Sequence, residues 1–189
     1  MNEKELSRSL VGAGLRWLGA ADGLDPLIPP NLATFVSSCS SEDGTIGSTV
    51  RLDDPQLRER VNSEWYRLAQ SCGLFNEEDR KFLLAVDGLG GDFPGWWWGR
   101  VELLDEWDIA DEGAATRILG TGPLRPSFVM LSPDGQAILR CDVGEESIDL
   151  TALRNPGHVN FLLQQGEWMA RSPRVEGRVK GAIERWLSS

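Results

Sequence analysis

The chain is poor in the residues that carry most side-chain chemistry. Its 189 residues include one histidine, His158, one tyrosine, Tyr66, and three cysteines. A single imidazole excludes a multi-histidine zinc site, and any Ser-His-Asp arrangement would have to run through His158. The neighbouring Asn155, Pro156 and Gly157 supply no group that would position that ring for proton transfer, so a surface or capping histidine is expected. Cys39, Cys72 and Cys141 are odd in number, far apart and in no CxxC spacing. That argues against a zinc ribbon, a redox pair or a disulfide framework. Cys39 and Cys72 fall at apolar positions of helical patterns, where a thiol behaves as a small hydrophobe. Three reduced, structural thiols point to a cytoplasmic setting, and no metal or cofactor is expected.

Long hydrophobic runs are missing as well. No stretch approaches the ~20 apolar residues of a membrane span. The opening Met-Asn-Glu-Lys-Glu lacks the basic region and apolar core of a secretion signal. Basic residues are the minority, 19 against 29 acidic, and the formal net charge of -10 disfavours nucleic acid or an anionic membrane as partner. What is present is ordinary for a globular chain: 41% hydrophobic and 25% charged residues. The length fits one domain, or one domain with an appendage.

Leu6, Leu10, Val11, Leu15 and Leu18 recur at helical spacing and predict an amphipathic helix over about 3–19. Pro29-Pro30 starts a second, short helix carrying Leu32, Phe35, Val36 and Cys39. Residues 40–49 read as a flexible loop, so residues 1–50 are expected to form an N-terminal helical extension and 51–189 an α+β domain. The clearest element follows. Asp54-Pro55 opens a helix with Leu57, Val61, Trp65, Leu68 and Cys72 on one face, and Gly73 ends it. Asn76 and the acidic Glu77-Glu78-Asp79 predict the start of another helix through Val86, stopped by Asp87-Gly88-Leu89-Gly90-Gly91. That glycine run lacks the Gly-Lys-Ser/Thr ending of a phosphate loop and follows a helical pattern rather than a strand.

Beyond residue 95 the period changes. Trp96 to Leu104 predicts a strand, and Asp105 to Leu119 a mixed, acidic segment with a short helix. Two apolar runs around Pro133-Asp134-Gly135 predict a hairpin, because proline presets φ and glycine accepts φ > 0. Ser147 to Leu150 adds a short strand, a helix runs from Asn155-Pro156 through Trp168, and Val175 to Leu187 forms the last helix. Helices, then a small antiparallel sheet, then helices is an α+β order.

From Glu64 to Asp108 the chain carries in succession a Glu-bearing helix, Gly73-Leu74, the run Arg80-Lys81-Phe82-Leu83, the glycines after Asp87, and a strand running into Asp105-Glu106-Trp107-Asp108-Ile109. In this succession it resembles the SUKH superfamily, the Smi1/Knr4-like proteins. Phe75-Asn76 stands where the family has a Leu-Pro step, and Asp87 where it has Asn. The similarity covers about residues 55–170. It implies an α+β domain of the bacterial immunity-protein type, which binds and neutralises a toxin and has no catalytic residues to carry over.

Charge is segregated along the chain. Residues 77–112 hold eleven acidic against three basic residues, whereas residues 151–189 hold three acidic against six basic ones. The acidic stretch contains Glu102, Asp105, Glu106, Asp108, Asp111 and Glu112, together with the unusual run Trp96-Trp97-Trp98. An acidic patch steers a basic partner, and an outward tryptophan anchors an interface. A solvated acidic face and a packed tryptophan run are the plainer alternatives, and a carbohydrate-stacking platform, which would use the same exposed indole, is the lesser one. Asp105, Asp108 and Asp111 lack the glycine and closing glutamate of a calcium loop. Arg171, Arg174, Arg178, Lys180 and Arg185, interleaved with Glu176 and Glu184, read as the solvated side of the last helix. The sequence therefore favours a non-enzymatic protein-binding domain that occludes a basic partner, with those acids and tryptophans as the contact. Alternatives are a helical adaptor or secretion chaperone that oligomerises through its N-terminal helix, and an enzyme working with carboxylates alone.

Overall fold

Alternation of side chains, rather than a helical stripe, organises the middle of the chain. Strands β1 (Leu15–Ala20), β2 (Ile46–Arg51), β3 (Lys81–Gly88), β4 (Gly95–Leu103), β5 (Phe128–Leu131), β6 (Ala137–Val143) and β7 (Ser147–Arg154) form one antiparallel sheet. Their order across it is β1-β4-β3-β5-β6-β7-β2. The helices are α1 (Glu3–Gly12), α2 (Pro30–Ala33), α3 (Leu57–Cys72), α4 (Asn160–Arg171) and α5 (Gly177–Leu187). The computed structural model describes residues 3–21, 26–88 and 95–189. The class is α+β, as the element order suggested. No helix among the described residues is long and apolar enough to cross a membrane.

Both faces of the sheet are covered. One core joins Leu6 and Leu10 of α1, Val61, Trp65 and Leu68 of α3, and the strand residues Phe82, Leu84, Val101, Met130 and Leu139. The second joins Leu32 of α2, Leu162 and Met169 of α4 and Ile183 and Trp186 of α5 to Leu83, Trp98, Val129, Leu131 and Ile138. At the centre of the first core Trp65 is fully buried, with ring centroids 5.0 Å from Trp107, 5.9 Å from Phe75 and 6.4 Å from Phe82. Its indole N–H donates to the Met130 sulfur at 3.4 Å. Truncating such a side chain typically costs about 3–5 kcal/mol.

Three expected elements are different in the structure. Residues 80–86 are not a helix: Phe82, Leu84 and Val86 point into one core and Leu83 and Ala85 into the other. A strand buried on both faces reads as a continuous apolar run, which over a few residues also fits helical spacing. The local start signal was nonetheless real. Asn76 Oδ1 accepts from the backbone N–H groups of Glu78 at 2.9 Å and Asp79 at 2.6 Å, closing a turn that no helix continues. The helix expected over 3–19 ends at Gly12, and Leu15–Ala20 pairs with β4 instead. Gly14 between them has φ +72°, and a Cβ there would collide with the backbone of Glu106 and Trp107, so only glycine lets the chain turn so close. The expected loop over 40–49 contains most of β2, which pairs residue for residue with β7. The boundary expected near residue 50 thus falls inside β2, and the segment before it supplies both edge strands. The expected stop at Leu89-Gly90-Gly91 lies outside the described residues.

The remaining helices are present with shifted starts: α3 begins at Leu57 rather than at Asp54-Pro55, and the helix expected from Asn155-Pro156 begins at Asn160, after the short turn Pro156–His158. The apolar face of α3 is buried at Leu57, Val61, Trp65, Leu68 and Cys72, and Gly73 ends the helix in the left-handed region. Asp54 sets the turn before it, accepting from the Gln56 N–H at 2.8 Å. The Pro133-Asp134-Gly135 turn joins β5 to β6.

Gly99 of β4 makes room for a neighbour. The Trp17 ring lies against its Cα, where a Cβ would overlap the indole. From that seat Trp17 meets Trp97 edge to face, centroids 5.6 Å apart and planes at 86°. Gly99→Ala is expected to displace Trp17, break this pair and destabilise the fold by about 1–3 kcal/mol, the usual range for overpacking. Urea unfolding of the variant beside the parent checks this.

Candidate interaction surface

The tryptophan run and the acidic run, adjacent in sequence, are parted by β4. Its strand rises about 3.4 Å per residue, so seven steps from Trp96 to Leu103 span about 24 Å. The tryptophans stand at one end of the sheet and Asp105 and Glu106 at the other. Nine residues expected to form one contact surface therefore do not form one.

Each tryptophan has its own environment. Trp98 is buried in the second core, and its N–H donates to the Ile28 carbonyl at 2.8 Å. Trp97 points to the opposite face and packs on the first core beside Trp17. Trp96 alone stays in solvent, 40% exposed. The strand's alternation and the double covering of the sheet together explain this distribution.

The acids divide just as sharply. Glu102 is tied to Arg16 of β1. Asp105 reaches Arg80 at 3.0 Å while its own side chain stays fully exposed, and Glu106 and Glu112 are exposed. Asp111 is half-buried. Asp108 is only 6% exposed and belongs to the framework rather than the surface. It accepts from Asn62 Nδ2 at 2.8 Å and from the backbone N–H groups of Asp111 at 3.1 Å and Glu112 at 3.3 Å. Arg58 of α3 lies 2.8 Å from Oδ2, the oxygen that also accepts from Glu112. Asn62 completes the clamp by accepting from the N–H groups of Ile109 and Ala110, both at 3.0 Å. Asp108 is thereby the cap of the π-turn Ile109–Gly113, which it locks to α3.

Two effects compete at that carboxyl. Burial raises its pKa, while the hydrogen bonds from Asn62, Asp111 and Glu112 and the Arg58 charge lower it, and the lowering wins. A carboxyl depressed in the folded state adds stability above its unfolded value near 4, and this is lost as the pH falls through the lower folded value. Asp108→Ala is expected to cost about 2 kcal/mol at pH 7, on the scale of a lost cap and charged hydrogen bonds. The gap between parent and variant should shrink as the pH is lowered from about 5 towards 2, measured by urea unfolding across that range.

What the structure does gather is a different set of carboxylates. The Asn76–Lys81 turn sits beside the end of β4: Leu103 N–H donates to the Arg80 carbonyl at 2.9 Å, and Arg80 Nη2 donates to the Leu104 carbonyl at 2.9 Å. Glu77, Glu78 and Asp79 are exposed there, next to Asp105 and Glu106. The two local cations are already engaged, Arg80 by Asp105 and Lys81 by Asp79 at 2.9 Å. Glu77, Glu78 and Glu106 form no ion pair with another described residue. Glu77 to Asp79 lie in the charged stretch of the sequence, but the helix start their pattern predicts gives no sign of a meeting with Asp105.

The remaining chemistry-bearing residues are dispersed. His158 is exposed at the end of the short turn Pro156–His158. Among the described residues no group of three or more His, Cys, Asp or Glu side chains is placed to hold a metal ion. The apolar side of α1 is covered by the chain itself through Leu6 and Leu10, leaving Val11 outside. No family model, no curated protein and no solved structure matches the chain.

All three cysteines are free thiols. Burial, aided by Asp43, pushes Cys39 up to about 11. Burial also raises Cys72, and burial with the Asp142 and Asp149 carboxylates raises Cys141 well above its ordinary value. Since the thiolate is the reactive form, the native chain should label slowly with a disulfide reagent at pH 8. The unfolded chain should release all three equivalents rapidly, which a colorimetric thiol assay distinguishes.

Proposed function

We propose that this chain is a protein-binding domain without catalytic chemistry of its own, of the immunity-protein kind, that captures a basic partner through the acidic end of its sheet. The observation that carries the reading is the meeting of Glu77, Glu78 and Asp79 with Asp105 and Glu106. Two segments some 25 residues apart in sequence present five carboxylates at one end, against Arg80 and Lys81. Surface ion pairs contribute little stability, and three of these carboxylates make none, so folding does not account for the cluster. A concentrated field of one sign raises the rate at which an oppositely charged protein arrives and disfavours acidic competitors. The rigid backing supports the same role. The turn and the strand end are tied by backbone hydrogen bonds, so docking requires little reordering there. Trp96, Trp97 and Trp98 have no part in this contact, and neither has Asp108.

The test uses a partner captured by crosslinking from the source cells and then purified. Asp105→Lys with Glu106→Lys, both at exposed positions, should slow its association by about tenfold at low salt and flatten the salt dependence. An association rate unchanged by the double reversal would remove the acidic end from the function.

A further inference from the structure

The end of β4 away from the carboxylates borders a cleft of about 240 Å³ that the proposed function leaves unused. Its walls are Trp96 to Trp98, the segment Pro26 to Asn31, and one side of α5. The walls are held before any ligand arrives. Trp98 N–H holds the Ile28 carbonyl at 2.8 Å, the Ala21 N–H donates to the Trp98 carbonyl at 2.9 Å, and Pro29 and Pro30 have restricted backbones. A preformed shape spares a ligand the cost of ordering its site.

The lining is chemically specific. Trp96 offers a partly exposed indole to stack against. Arg178, Ala182 and Arg185 fall on one side of α5, at i, i+4 and i+7, and all three line the cleft. Arg178 is engaged within the chain. Arg185 is exposed and forms no ion pair with another described residue. A guanidinium matches the planar, two-oxygen geometry of a carboxylate.

We propose that this cleft binds a small planar carboxylate. Its ring lies on Trp96 and its carboxylate meets Arg185. The cavity is smaller than the ~300–1,000 Å³ of sites for drug-sized ligands, which limits the ligand to one or two rings. This site is independent of the acidic end, so its failure would leave the proposed function untouched.

The test titrates the full chain, labelled with ¹⁵N, with indole-3-acetate and with neutral indole-3-acetamide, and follows the tryptophan N–H signals. The Trp96 signal should move with a dissociation constant of roughly 0.1–1 mM, as suits a ligand of this size, while that of buried Trp65 stays. The amide should bind about tenfold more weakly, the scale of one charge-assisted contact. Arg185→Gln should abolish that preference without moving the Trp65 signal, and Trp96→Leu should weaken both ligands alike. No Trp96 shift up to about 10 mM, well above that range, would overturn the proposal. Equal binding of acid and amide, or a preference that survives Arg185→Gln, would overturn it too.

Discussion

A strand with three consecutive tryptophans can be accommodated only when both faces of its sheet are covered, because successive side chains point to opposite sides. The rest of the molecule follows from that constraint. Trp98 requires a layer of helices, which α2, α4 and α5 provide, and Trp97 requires another, which α3 and α1 provide. The neighbouring β3 obeys the same demand, with apolar residues on both its faces. Gly99 belongs to this arrangement as well: the Trp17 ring occupies the space a Cβ would take, so the edge strand β1 is drawn onto β4. Coverage weakens only towards the strand's beginning, and there Trp96 emerges.

The second organising element is polar. Asn62 and Asp108, one on α3 and one on the loop after β4, exchange hydrogen bonds with each other's surroundings and cap the π-turn. A buried carboxylate left without partners would be costly, and this one accepts from a side-chain amide and two backbone N–H groups, with Arg58 alongside. Asp108 thus spends its charge inside the protein. The surface charge of the 105–112 segment falls to Asp105, Glu106 and Glu112, with Asp111 half-covered. Acidic residues counted along a sequence are not a patch until the fold decides which of them face water.

Much of the fold was legible where signals are local. The α3 stripe with Gly73, the β4 strand, the Pro133-Asp134-Gly135 hairpin and the α5 stripe all depend on residues close in sequence. The failures share a cause in non-local pairing. Leu15 pairs with Leu103 and Ile46 with Ala152, and no pattern within residues 3–20 or 40–51 announces those partners. An edge strand buries few side chains, Val50 being the buried one in β2, so its alternation is faint. For β3 the run was visible and its period ambiguous. The site was half legible. The acids were evident as charge, and a strand from Trp96 to Leu104 already implied that tryptophans and carboxylates stand far apart, a consequence of strand rise that counting charge by segment obscured. The spacing of Arg178, Ala182 and Arg185 was also visible, but the cleft they line needs the Pro26–Asn31 segment brought across from another part of the chain.

The two ends of β4 therefore carry opposite chemistry, carboxylates at one and guanidinium groups with an open indole at the other. Their separation of about 24 Å along the strand is roughly three Debye lengths at physiological ionic strength, where the length is ~8 Å. Fields from exposed charges fade over that distance, so a partner approaching the acidic end is steered by the local carboxylates and scarcely by α5. The net charge of -10 then understates both surfaces, since it adds charges that act in separate places. Sites so far apart with no shared partners behave additively as a rule. An occupant of the cleft and a protein at the acidic end would accordingly bind without assisting or opposing one another through charge. Any coupling between them would have to pass through β4 itself, whose residues are fixed on both faces by packed cores that resist small displacements.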